Sequence, residues 1–148
     1  VNELRELYRE VILDHNRNPR NFGTLEDADI VIDGVNPLCG DKLKLFIKLN
    51  GNAIEDIRFQ GTGCAISVAS TSLMTERVKG TGVAQALDLQ KQIHAMLTSD
   101  AAAPDESLGK LAALSGVREF PSRVKCASLG WRALKSGLTD GEASVSTE

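Results

Sequence analysis

The chain has 148 residues, 42% of them hydrophobic and 25% charged, and its seventeen Lys and Arg against twenty Asp and Glu leave a formal charge of −3. That length suits one domain with its own core, and the mild acidity offers no net attraction to a phosphate backbone, so no nucleic acid partner is expected. No apolar run approaches the ~20 residues that span a bilayer, and no basic-then-apolar leader opens the sequence, so no membrane partner is expected and the cytoplasm is the expected compartment.

Leu4, Leu7, Tyr8, Val11 and Ile12 recur at helical spacing, with charges on the other face and Pro19 beyond, which predicts an amphipathic helix over residues 2–16. The polar run 17–23 reads as a turn, and the β-branched run 29–33 as a short strand. Leu43, Leu45, Ile47 and Leu49 then alternate with Lys42, Lys44, Phe46 and Lys48, giving one apolar face and one largely cationic face that reads as solvated. Asn50-Gly51 favours a tight hairpin turn. On the return strand, 54–60, Ile54 is out of phase with Ile57 and Phe59, which predicts a bulge or a strand start there.

Beyond Gly61-Thr62-Gly63 the period changes, and Ala65, Ile66, Ala69, Leu73 and Val78 form the stripe of a helix that ends near Lys79-Gly80. Further helices are predicted over 83–97 and 106–114, with a loop at 100–104 between them. Pro121 opens a last helix carrying Val124, Leu129, Trp131 and Leu134, with Gly137 as its stop. The polar, acidic residues 138–148 read as a disordered tail after a single domain over 1–137. This order predicts an α+β domain: a three-stranded antiparallel sheet with helices packed on one face.

Three cysteines cannot pair completely within one chain, and in a reducing compartment metal or thiol chemistry is the better expectation. Cys39 falls in a Pro/Gly turn between strands, Cys64 where a strand meets a helix, and Cys126 in the first turns of the last helix. A helix N-terminus near Cys64, and Arg123 and Lys125 near Cys126, favour thiolates. Three thiolates and the Asp41 carboxylate make the four ligands of tetrahedral zinc, and in an extended segment Asp41 points the same way as Cys39. A hard carboxylate among thiolates suggests a site that can lose or exchange a ligand. Against this stands the bland alternative of buried cysteines acting as small hydrophobes. A metal-independent thiol enzyme, with Cys as nucleophile and His15 or His94 as base, is a remoter alternative, because the two histidines fall on separate helices without a supporting acid motif, and each reads as a surface or helix-end residue. Gly61-Thr62-Gly63 lacks a following Gly-Lys-Ser/Thr, so nucleotide binding is unsupported.

The motifs Cys39-Gly40-Asp41, Gly63-Cys64-Ala65-Ile66-Ser67 and Lys125-Cys126-Ala127, in this order, resemble the IscU/NifU N-terminal family of iron–sulfur cluster assembly proteins. The first helix, ending in Asp14-His15 and followed by Asn18-Pro19-Arg20-Asn21, shares the resemblance, which runs to about Gly137. Lys125 stands where the scaffold branch has His, and 119–125 lacks the Leu-Pro-Pro-Val-Lys chaperone motif of that branch. Residues 96–117 resemble the insertion of the SufU branch, to which the chain is therefore most similar.

The resemblance implies a SufE/NifU-like fold and zinc held by Cys39, Asp41, Cys64 and Cys126. It also implies that Cys39 accepts persulfide sulfur from a SufS-like cysteine desulfurase, for relay to downstream Suf-type cluster assembly proteins. In the family picture a desulfurase His replaces Cys39 on the zinc, and Arg123 is a docking contact or thiolate stabiliser. The alternative implied by the scaffold branch is a transient [2Fe–2S] cluster on the same four ligands, passed on to apo-proteins.

Overall fold

A computed structural model describes residues 2–98, 106–139 and 144–146. In chain order it contains helix α1 (Asn2–Arg17), strands β1 (Ile30–Asn36), β2 (Asp41–Asn50) and β3 (Ala53–Thr62), and helices α2 (Ala65–Val78) and α3 (Val83–Thr98). A 3₁₀ segment (Glu106–Glu119), helix α4 (Pro121–Thr139) and a short strand β4 (Ser144–Ser146) follow.

β1, β2 and β3 form the expected antiparallel meander, with Ile32 opposite Leu45 and Leu45 opposite Phe59. The alternation turns Ile32, Leu43, Leu45, Ile47, Ile57 and Phe59 inward, where all are buried. A register shift between Lys48 and Leu49 leaves Glu55 without a cross-strand partner. That bulge brings Ile54 into the core, which accounts for its irregular phase in the sequence. The opposite face is laced by ion pairs, Lys44 with Asp33 at 3.7 Å and Lys48 with Asp27 and Glu55.

The helices cover the other face, with α2 at their centre. Ten residues of α2 are buried, among them Ser67, Ser70, Thr71, Ser72 and Thr75, because α1, α4 and the sheet pack around it. Ser70 Oγ donates to the Ala127 carbonyl at 2.6 Å and accepts the Trp131 indole N–H at 3.1 Å, tying α2 to α4 through buried polar groups. Gly137 does not stop α4. It is buried within the helix, where Ile32 of β1 occupies the space a Cβ would need.

Several expectations are corrected. His15 is fully buried, because Tyr8, Val11, Ile12 and His15 lie at i, i+3, i+4 and i+7 on one face of α1. Leu7, expected on that face, is 39% exposed, and the Leu4 side chain lies outside the described residues. His94 is exposed, as expected.

The helix expected over 106–114 is a 3₁₀ run extending to Glu119, with a break at Gly109 (φ 54°, ψ −126°). Its large buried apolar side chains, Leu108, Leu111, Leu114 and Val117, recur every third position, the period of a 3₁₀ helix rather than 3.6, with the small Ala113 and Ser115 buried between them. The loop expected at 100–104 lies outside the described residues.

The tail expected to be disordered contributes β4, which adds parallel to β1 and gives a four-stranded order β3-β2-β1-β4. The free edge of β1 offers unpaired backbone groups that β4 satisfies. The other tail residues beyond Thr139 lie outside the described residues. No helix among the described residues is long and apolar enough to cross a membrane.

Candidate metal centre

The β1–β2 turn, the β3–α2 junction and the first turns of α4 meet at one site. In the turn, the Asn36 carbonyl accepts the backbone N–H of Gly40 at 2.9 Å and of Cys39 at 3.3 Å. Gly40 supplies the positive φ (71°) the reversal needs, and Asn36 and Asp41 face each other across the strands.

Asp41 is fully buried, and both carboxylate oxygens are held. Oδ1 accepts the backbone N–H of Cys64 at 2.7 Å, and Oδ2 accepts the Asn36 side-chain N–H at 3.0 Å. This approach requires glycine at position 63: its φ is 128°, and a Cβ there would collide with the Asp41 side chain and Cα.

The first turns of α4 carry Cys126, which is fully buried and accepts a second N–H of Asn36 at 3.3 Å. One thiolate-capable or carboxylate atom each from Cys39, Asp41 and Cys126 lies within 4.8 Å of the others. Cys39 is exposed, whereas the other two are buried.

Cys64 is not a member of that trio among the described residues. It is the N-cap of α2 with extended backbone (φ −73°, ψ 151°), and its Sγ makes no cap hydrogen bond. Instead Sγ accepts an N–H from Arg123 at 3.4 Å. That contact, with the negative charge of Cys64, raises the Arg123 pKa further and keeps the guanidinium charged. Lys125 is half-buried in the position before Cys126.

Thus the structure gathers three of the four expected ligands, and joins the fourth to Asp41 through its backbone and to Arg123 through its sulfur. Two residues at the site carry no metal-ligand signal in the sequence. Asn36 lies outside the three cysteine motifs. Tyr8 reads as core, yet α1 brings its half-buried phenol toward Arg123, Cys64 and Glu119. Burial raises that phenol's pKa and Arg123 opposes the rise. Gly116 makes room for the ring, since a Cβ there would lie 2.9 Å from it.

The donor set fits zinc. Tetrahedral zinc with bonds of ~2.0–2.3 Å places its ligand atoms about 3.3–3.8 Å apart, so the trio needs little closure. Thiolates with one carboxylate are ligands zinc accepts. Burial pushes the Cys126 thiol far up, and the contacts with Asp41 and Cys39 and the charge of Cys64 push the same way. Two acidic groups as close and as buried as Asp41 and Cys126 are mutually unfavourable as anions without a cation beside them.

Comparisons with known proteins give a family and a set of relatives. The family model described as the NifU-like N terminal domain matches residues 7–140. The zinc-dependent sulfurtransferase SufU of Bacillus subtilis (strain 168) is 46% identical over 139 residues, covering 94% of each chain. The iron–sulfur cluster assembly scaffold protein IscU of Streptococcus pyogenes is 38% identical, over 93% of this chain and 86% of its own. Among solved structures, a protein from Fervidobacterium islandicum AW-1, described as a cluster assembly scaffold for the SUF system, superposes with a TM-score of 0.83. It is 34% identical and covers 91% of this chain and 98% of its own. A NifU-like protein from Brucella abortus shares the fold at TM-score 0.82 with 22% identity, covering 93% and 97% of the two chains.

Proposed function

The chain belongs to the NifU-like N-terminal domain family of iron–sulfur cluster assembly proteins, and on that premise we propose that it is a zinc-binding sulfur acceptor. It takes persulfide sulfur from a cysteine desulfurase of the SufS kind in the cytoplasm and relays it to downstream Suf-type assembly proteins. The observation that carries this reading is the contrast within the ligand trio: Cys39 is exposed on a turn while Asp41 and Cys126 are buried beneath it. One thiol is open to a partner, and the remaining donors are held by the protein interior. The likeness to a protein described as a zinc-dependent sulfurtransferase, over 94% of both chains, supports the same reading.

Cys39, Asp41 and Cys126 would hold zinc, with Cys64 as the fourth donor. When bound, zinc keeps the thiols deprotonated and shields them from oxidation. The chain's own groups then act as follows. The free Cys39 thiolate attacks the outer sulfur of the desulfurase persulfide. A sulfur–sulfur bond forms to Cys39, the one on the desulfurase breaks, and the desulfurase cysteine leaves as thiolate. The sulfane sulfur changes hands with no net oxidation or reduction. Arg123 places a fixed positive charge beside the Cys64 sulfur and near Cys39 while the charge moves.

A second reading, a scaffold for a [2Fe–2S] cluster, is favoured by the relatives described as IscU scaffolds and by a donor set that also accepts iron. Titrating the zinc-loaded protein into a desulfurase assay separates the two. Marked stimulation, lost on zinc removal and regained on its return, supports the acceptor. No stimulation, together with a stable and transferable cluster after anaerobic reconstitution, supports the scaffold.

A further inference from the structure

Asn36 is fully buried at the end of β1, and its amide nitrogen spends both hydrogens on prospective ligands: Asp41 Oδ2 at 3.0 Å and Cys126 Sγ at 3.3 Å. These two ligands come from positions 85 residues apart, on β2 and α4, and no other side chain among the described residues bonds to both. The amide orientation is dictated by its neighbours, since a carbonyl oxygen turned toward a carboxylate and a sulfur would be repelled. The backbone carbonyl of the same residue accepts Cys39 N–H and Gly40 N–H, which holds the turn carrying the exposed ligand.

The cost of this arrangement is visible. Asn36 Oδ1 is buried and has no hydrogen-bond partner among the described residues. A residue kept only to fill space at the strand end would avoid an orphaned carbonyl, because leaving a buried acceptor unpaired is unfavourable. The amide is kept for its donors.

We propose that Asn36 is a positioning residue of the metal centre: its amide fixes Asp41 and Cys126 relative to one another, and its carbonyl presents Cys39. This inference rests on the reading that the site holds a metal. Each N–H bond leaves one lone-pair direction of its acceptor occupied, so Asp41 and Cys126 face the metal in one orientation. The N–H bond to Cys126, like that to Asp41, anchors the ligand to β1 independently of a bound ion. The buried pair therefore stays assembled when the exposed thiol leaves.

The direct test uses the unaltered protein loaded with ¹¹³Cd. A bond from Asn36 to a metal-bound sulfur carries scalar coupling from the metal to one Asn36 side-chain proton, alongside coupling to the Cys126 β protons. Coupling at both is the expected result. Coupling at Cys126 without any at Asn36 overturns the proposal, and failure to bind cadmium at all overturns the underlying metal reading instead.

Two variants give a second readout. Asn36→Ala and Asn36→Asp should each release zinc to a chelator with affinity lowered about 10- to 100-fold. The sulfur-to-metal charge-transfer bands of the Co²⁺ form should shift as well. Wild-type retention and bands in a folded variant overturn the proposal. If neither variant folds, the cadmium coupling in the unaltered chain decides it.

Discussion

The backbone N–H of Cys64 donates to Asp41 Oδ1 at 2.7 Å, so the first residue of β2 is fastened to the start of α2 through a prospective ligand. A carboxylate at a helix N-terminus meets free N–H groups and partial positive charge. Asp41 thus accepts the N-cap N–H, as an N3 side chain does in a capping box, while the Cys64 sulfur, which makes no cap bond, meets Arg123.

That fastening depends on Gly63, which predicts that Gly63→Ala both weakens the fold and spoils the site. Its φ of 128° is strained for alanine, and the new methyl would collide with Asp41. Strain and overpacking together suggest a loss of about 2–4 kcal/mol. Urea unfolding with metal analysis checks this. A variant of wild-type stability that keeps its zinc would contradict the close approach.

The buried His15 predicts an acid-sensitive fold. Its pKa is lowered mainly by burial and further by Arg20 and Lys110, against the opposing charges of Glu76 and Asp14. Nδ1 lies 2.7 Å from Ser72 Oγ, and Nε2 has no hydrogen-bond partner among the described residues. The unfolded chain takes up the proton at its ordinary pKa of about 6.5, and the folded chain only at lower pH. Stability is therefore fully present above about pH 6.5 and is lost as pH falls toward the lowered folded value. Unfolding midpoints at pH 7.5 and 5.5 should fall more steeply for the wild type than for His15→Gln. Parallel falls would show that His15 does not titrate in this window.

Arg123 is exposed, and its side chain bonds to a sulfur through the guanidinium, so truncating it should separate chemistry from stability. Arg123→Ala is expected to change unfolding by no more than about 0.5 kcal/mol and to leave zinc content unchanged. Sulfur transfer from the desulfurase should slow several-fold. Unaltered transfer rates would remove Arg123 from the mechanism.

The sheet and much of the site were legible in the sequence because they depend on local pattern. Period-two alternation in 42–49, Asn50-Gly51 and the misphased Ile54 each report one strand, one turn and one bulge, and all three are present. Cys39, Asp41 and Cys126 stood out because they sit at junctions, and junctions converge. The placement of Cys64 was not legible, since which way a side chain leaves an N-cap is settled by its tertiary neighbours, here Asp41 and Arg123.

The same holds for Asn36, whose role exists only once β2 and α4 are both beside it. His15 read as a polar helix-end residue because its partner Ser72 is 57 positions away. The 3₁₀ run reads as an α-helix in the sequence because Leu108, Leu111 and Leu114 also satisfy part of an α-helical pattern. β4 has too few residues to carry a strand signal of its own.

If Cys39 receives the sulfur, peptide mapping of the zinc-loaded protein locates it there. After incubation with a cysteine desulfurase and cysteine, followed by alkylation, the added sulfur should be found on the peptide carrying Cys39. It should be missing from Cys39→Ser, with Cys64 and Cys126 unmodified in both. Sulfur carried equally well by Cys39→Ser, or found on Cys64 or Cys126 instead, would contradict the account.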